Sequence, residues 1–199
     1  MREIVQGYNA AAATERKDRA IPLLGIGELI AGVPCAPLTP RRLEWMRAYD
    51  SPFICGGEVT PAAMLQFLWF VSPNFSTDKK AKDAFIAANL TLNAKELRDG
   101  IESYLDRAFL DARDGKPGKS YVSQWVGFYR GLSSAYGDEW TFEKVGDTPL
   151  ALIFQLLKEN DRYQGETVTN RRSDAVTQRW LDEINQPKPE RKMRHGRKK

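Results

Sequence analysis

Residues 62–71 read AAMLQFLWFV, and Gln66 is the only side chain among them that favours water. Thr60 and Pro61 precede the run, and Ser72 and Pro73 follow it. A threonine caps a helix start, and proline fits the first helical position because the N–H it lacks has no partner there. The residue before a proline is pushed out of the α region, so Ser72 ends the helix. At 1.5 Å rise per residue the run spans about 15 Å, half of a bilayer core. It is too short to cross a membrane and too apolar on all sides for a surface helix. The pattern predicts either the central helix of a core or a surface that a partner covers.

The other segments are amphipathic. Thr39-Pro40 repeats the cap-plus-proline signal and opens a helix with Leu43, Met46, Ala48 and Tyr49 on one side, ended by Ser51-Pro52. Gly56-Gly57 supplies a turn. Thr77 and Asp78 cap a helix to about Ala88 with Phe85 and Ile86 inward. Asn93 caps a longer helix with Leu97, Ile101, Tyr104, Leu105, Ala108 and Phe109 at three-and-four spacing, opposite a charged face. After a Gly/Pro break at 115–118, Ser120 starts a helix with Val122, Trp125, Tyr129, Leu132 and Tyr136 on its stripe. Thr148-Pro149 opens LALIFQLLKEND, and Ser173 opens a last helix with Val176, Trp180 and Ile184. Only residues 165–170 read as strand. The prediction is an all-α compact bundle of about seven short-to-medium helices over 39–185, an irregular N-terminal segment at 1–38 that ends extended on the core, and a disordered basic tail at 186–199.

Composition fits this picture. The chain has 199 residues, 42% hydrophobic and 28% charged, as in a globular domain with a genuine core. No N-terminal segment combines a basic start, an apolar run and a small-residue cleavage site. The apolar stretch 21–38 contains Glu28, three prolines and three glycines, which exclude a spanning helix. A cytoplasmic protein that does not enter membranes is expected. Cys35 and Cys55 lack C-x-x-C spacing and are expected as reduced, buried thiols.

The net charge of +4 changes meaning once divided. Lys188, Arg191, Lys192, Arg194, Arg197, Lys198 and Lys199 face only Glu190 in the tail, which carries +6. The other 185 residues hold 23 basic and 25 acidic side chains, a net of −2, so the body has no global attraction to nucleic acid. The tail has two readings. It could neutralise phosphates with strongly salt-dependent affinity, or it is a solvated terminus that pairs with an acidic partner. Without interleaved aromatics, base stacking is not expected of it.

Catalytic signatures do not assemble. His195, the only histidine, lies in the tail, so Ser-His-Asp and Cys-His sites lack a base within the fold, and the usual zinc and iron ligand sets are missing. Carboxylates are spread as surface charges. Gly25-Ile26-Gly27 lacks dinucleotide-binding spacing, and GGEVTP lacks the lysine of a phosphate loop. The expectation is a non-enzyme with no catalytic residues, metal or cofactor.

Phe67, Trp69 and Phe70 cannot all face one direction on a single helix. The neighbouring stripes need a central element, which points Leu65, Leu68 and Val71 into the core. One of Phe67, Trp69 and Phe70 is then expected to face a second layer or a partner, making these three the candidate partner-binding residues.

The order LTPRRLEWMRAYDSPFICGG, MLQFLWFVSP and YGDEWTFEKVGDTPLALIFQLL, followed by a short C-terminal helix, resembles tail assembly chaperones and related small tail-module proteins of tailed bacteriophages and prophages. The resemblance covers roughly residues 37–184 and leaves out the first forty residues and the basic tail. It implies a non-enzymatic helical protein of the host cytoplasm that binds the tape-measure or tail-tube protein during assembly and is not part of the finished virion. Two alternatives stand beside it: a structural tail or head–tail connector protein that stays in the virion as a homo-oligomeric ring, and a module that binds nucleic acid through residues 188–199.

Overall fold

Gly32 and the residue before it turn the chain back on itself early. In the computed structural model, β1 (Glu28–Ile30) and β2 (Val33–Cys35) form an antiparallel hairpin pairing Glu28 with Cys35 and Ile30 with Val33. Ala31 and Gly32 join them with φ of 48° and 83°, the left-handed pair that matches strand twist. The structure describes residues 27–110 and 123–165, with Ala13, Thr14, Lys17, Ala20, Ile21, Gly25 and Ala112. The helix expected from Ser173, the tail at 186–199, the glycine-proline break and most of the strand-like run lie outside the described residues. The hairpin corrects the expectation of an irregular segment up to residue 38. It also shows why periodicity missed it, since three-residue strands offer no alternation to count.

Eight helices follow among the described residues, and the fold is mostly helical as expected. They are α1 (Pro40–Ala48), α2 (Pro52–Cys55), α3 (Pro61–Val71), α4 (Lys79–Asn89), α5 (Ala94–Ala108), α6 (Gln124–Tyr136), α7 (Phe142–Asp147) and α8 (Leu150–Tyr163). The caps explain most starts: Thr39 accepts from the Arg42 amide, Thr60 from Ala63, Asp78 from Lys80, and Asn93 from both Lys95 and Glu96. Two short helices, α2 and α7, were not foreseen. Thr141 caps α7 through the Lys144 amide at 3.2 Å, a signal hidden inside what reads as a turn.

Thr148 corrects the third cap-plus-proline reading. Its hydroxyl donates back to the Lys144 carbonyl at 2.6 Å, closing α7 instead of opening α8. No side chain caps α8. Its first amide, Leu150 N–H, donates to the Leu38 carbonyl at 2.9 Å, so a backbone group 112 positions away does the work of a cap.

The chain after the hairpin joins the layers. Ala36 N–H donates to the Val71 carbonyl at 2.7 Å at the end of α3, and the Tyr104 hydroxyl of α5 donates to the Ala36 carbonyl at 2.7 Å. On the other side of β1, Glu28 pairs with Arg107 of α5, accepting Nε–H at 2.8 Å and a second bond from Nη2. A Cβ on Gly100 would lie 3.0 Å from the Ile30 side chain, so glycine lets α5 settle on the hairpin.

Helix α3 is the hub. It contacts α1, α4, α5 and β2, while α1 also contacts α2, α6 and α7, and the α5–α8 contact closes the second half onto the first. Leu65, Leu68 and Val71 are buried, as the stripes of the neighbouring helices require.

Candidate functional site

The three aromatics singled out on α3 diverge and are covered by the chain itself. Phe67 is 0%, Trp69 3% and Phe70 2% exposed. Phe67 packs on Phe53 of α2 at 5.0 Å between ring centres and edge-on to Tyr104 of α5 at 6.0 Å. Trp69 meets Phe85 of α4 at 5.3 Å and Phe75 at 5.8 Å. Phe70 meets Tyr49 of α1 and Phe75, both at 5.6 Å. Of the two outcomes expected, a second layer or a partner, the structure shows a second layer for each of the three rings. Burying such rings contributes roughly 1.5–3 kcal/mol apiece relative to exposure, so core packing claims all three.

What reaches solvent is the layer above them. Trp69 and Phe70 form the floor of a hollow of about 290 Å³ walled by Trp45, Tyr49 and Phe75, with residues 76–79, Lys82 and Asp83 on its rim. Sequence placed Trp45 and Tyr49 on α1 at i and i+4, which puts them side by side; their rings lie 6.1 Å apart. Trp45 is half-buried and Tyr49 is 52% exposed. Phe75 follows the Pro73 stop and folds back over α3, its amide donating to the Ser72 carbonyl at 3.1 Å. No sequence signal marked Phe75, because its position depends on that turn. Lys82 from α4 leans over the Tyr49 ring at 5.5 Å.

A second hollow of about 290 Å³ adjoins the first and shares Trp45 and Phe75 with it. Its other walls are Ala36, Pro37, Thr39 and Pro149, with Arg41, Arg42 and Asp147. Arg41 holds Asp147 through Nε at 2.7 Å and Nη2 at 3.1 Å, and its guanidinium lies 5.1 Å from the Trp125 ring. Trp125 in turn stacks on Phe142 at 4.3 Å, and its indole N–H donates to the Phe142 carbonyl at 2.9 Å. Arg42 Nη1 donates to the carbonyls of Phe70 at 2.6 Å and Ser72 at 2.9 Å, placing a cation at the negative end of α3. Burial lowers its pKa from the ordinary arginine value. Among the described residues Arg42 makes no salt bridge, but the charge of Asp147, which Arg41 holds, acts on it.

The remaining chemistry is subdued. Cys35 is buried, and burial pushes its thiol up to about 12, so it stays protonated at neutral pH. Cys55, expected buried, is exposed. Among the described residues no three His, Cys, Asp or Glu side chains are grouped to hold a metal ion, and no helix is long and apolar enough to cross a membrane. The basic residues Lys188, Arg191, Lys192, Arg194, Arg197, Lys198 and Lys199 lie outside the described residues. The arrangement offers apolar hollows edged by charges of both signs, suited to holding side chains of another molecule. Comparison with protein-family models, with curated proteins and with solved structures finds no match to this chain.

Proposed function

We propose that this chain is a non-enzymatic assembly chaperone for the tail of a tailed bacteriophage or prophage, acting in the host cytoplasm on a tape-measure or tail-tube protein. The family reading rests on the sequence order over residues 37–184. The observation that carries the docking reading is the hollow walled by Trp45, Tyr49 and Phe75 over the buried floor of Trp69 and Phe70. A hollow of that size takes one bulky apolar side chain. Aromatic walls on a rigid floor are the setting in which such an anchor contributes most to binding.

A chaperone of this kind needs no general base. It needs a stable body that presents apolar anchor sites without exposing a continuous apolar patch. The floor residues satisfy that by serving the core at the same time.

The test is co-expression with a tape-measure or tail-tube protein, followed by affinity capture. The proposal expects the tape-measure or tail-tube protein to co-purify, and the chain to be missing from purified particles by mass spectrometry. Failure to co-purify, together with recovery of the chain from mature particles, would contradict it in favour of a structural tail protein.

A further inference from the structure

We propose that Phe75 is a hinged lid: residues 73–77 swing away from the body as a unit, and the two hollows that share its ring as a wall then join into one groove floored by Trp69 and Phe70. This deepens the docking reading above by adding how access to the site is controlled, and it rests on that reading.

The loop between α3 and α4 is fastened at its ends and nowhere between. At one end the Ser72 carbonyl accepts from Arg42 Nη1 at 2.9 Å and from the Phe75 amide at 3.1 Å. The Ser72 hydroxyl accepts from the Asn74 amide at 3.1 Å. At the other end the Asp78 amide donates to the Ser76 hydroxyl at 3.4 Å, and Asp78 caps α4 through the Lys80 amide at 2.9 Å. Among the described residues, residues 73–77 make no other hydrogen bond. Pro73, Asn74, Ser76 and Thr77 are exposed. A segment with solvated backbone and few bonds to its surroundings opens more readily than the elements it joins. Both pivots survive the opening, because Arg42 keeps its grip on the Phe70 and Ser72 carbonyls and Asp78 keeps its cap.

The ring is what holds the loop down. Phe75 meets Trp45 at 6.1 Å and Trp69 at 5.8 Å, both edge-on, and Phe70 at 5.6 Å. An incoming apolar side chain makes contacts of the same kind with the same rings, so it replaces what the departing ring gives up. In the free protein the closed lid keeps Trp69 and Phe70 at 3% and 2% exposure, which avoids a standing apolar patch. The lid thus exchanges one covering ring for another, and the core beneath it stays packed.

The first experiment is native-state hydrogen exchange of the full chain in low urea. A lid open in about 0.1–10% of molecules protects the Phe75 amide about ten- to a thousandfold. That exchange should be independent of urea, while the buried Leu68 amide of α3 should exchange by global unfolding and speed up with urea. A Phe75 amide that shares the urea dependence of Leu68 would overturn the inference. The second experiment is titration with the dye 8-anilinonaphthalene-1-sulfonate. Affinity for the native chain is reduced by the open fraction, so Phe75→Ala, with unchanged circular dichroism, should bind at least about tenfold more tightly. Adding Tyr49→Ala should remove most of the gain, because Tyr49 walls the same space. Unchanged affinity in Phe75→Ala, or a gain that survives Tyr49→Ala, would overturn the lid. Both measurements are made without a tail protein: their failure beside successful capture sinks the lid alone, and failed capture sinks the docking reading.

Discussion

The hydroxyl of Tyr104 on α5 donates to the carbonyl of Ala36 at 2.7 Å, and the amide of the same alanine donates to Val71 at the end of α3. One residue of the chain leaving the hairpin thus ties the central helix to its neighbour. Two positions on, Leu38 supplies the acceptor for the first amide of α8. A segment with no periodicity of its own is the joint between the halves. Tyr104→Phe keeps the packing and removes only the bond. Leaving the Ala36 carbonyl unpaired should cost roughly 1–3 kcal/mol, read by urea unfolding.

The salt bridge between Glu28 and Arg107 lies largely out of water, with side chains 11% and 18% exposed. Removing one partner strands the other charge, so Arg107→Leu should destabilise by roughly 3 kcal/mol or more, while Glu28→Leu with Arg107→Leu should recover most of the loss. A double-mutant cycle by denaturant titration checks this.

Gly146 abuts Trp125 so closely that a Cβ there would stand 2.1 Å from the indole carbon Cζ2. Gly146→Ala should drive Trp125 off its stack on Phe142, costing roughly 1–3 kcal/mol. The expected signs are a lower thermal midpoint and a shifted tryptophan emission.

Alkaline pH should unfold the protein through buried groups that resist ionisation. Cys35 is raised from 9.0 to about 12, and Tyr104 well above its ordinary value, both mainly by burial. A raised folded pKa means that the stabilisation is complete below the unfolded value and is lost as pH climbs toward the folded one. Stability should therefore fall from about pH 9 upward, and Cys35→Ala should flatten that limb in chemical denaturation measured between pH 8 and 11.

Much of the fold was legible because its signals are local. Thr39, Thr60, Asp78 and Asn93 cap helices where the sequence places them, and the Leu97–Ile101–Tyr104 stripe is buried as its spacing requires. The hairpin at 28–35 was not legible, since its register depends on the Ala31–Gly32 turn and on α5 packing against it. Thr148 misled because a threonine before proline can close one helix as readily as open the next. The site was half legible. Sequence found Trp69 and Phe70 but took them for anchors, whereas Phe75, which covers them and walls the hollow, reaches that place only through the turn after Pro73. Arg42 gave no sign, because its role depends on the end of α3 lying beside α1.

Capture of the co-expressed tape-measure or tail-tube protein by the native chain and by Tyr49→Ala tests the account most directly. Tyr49 is exposed and walls the hollow, so the variant should fold normally by circular dichroism. The account predicts that the native chain retains the tail protein and that the variant loses most of it. Equal retention by both would contradict docking through this hollow, and retention by neither would contradict the chaperone reading itself.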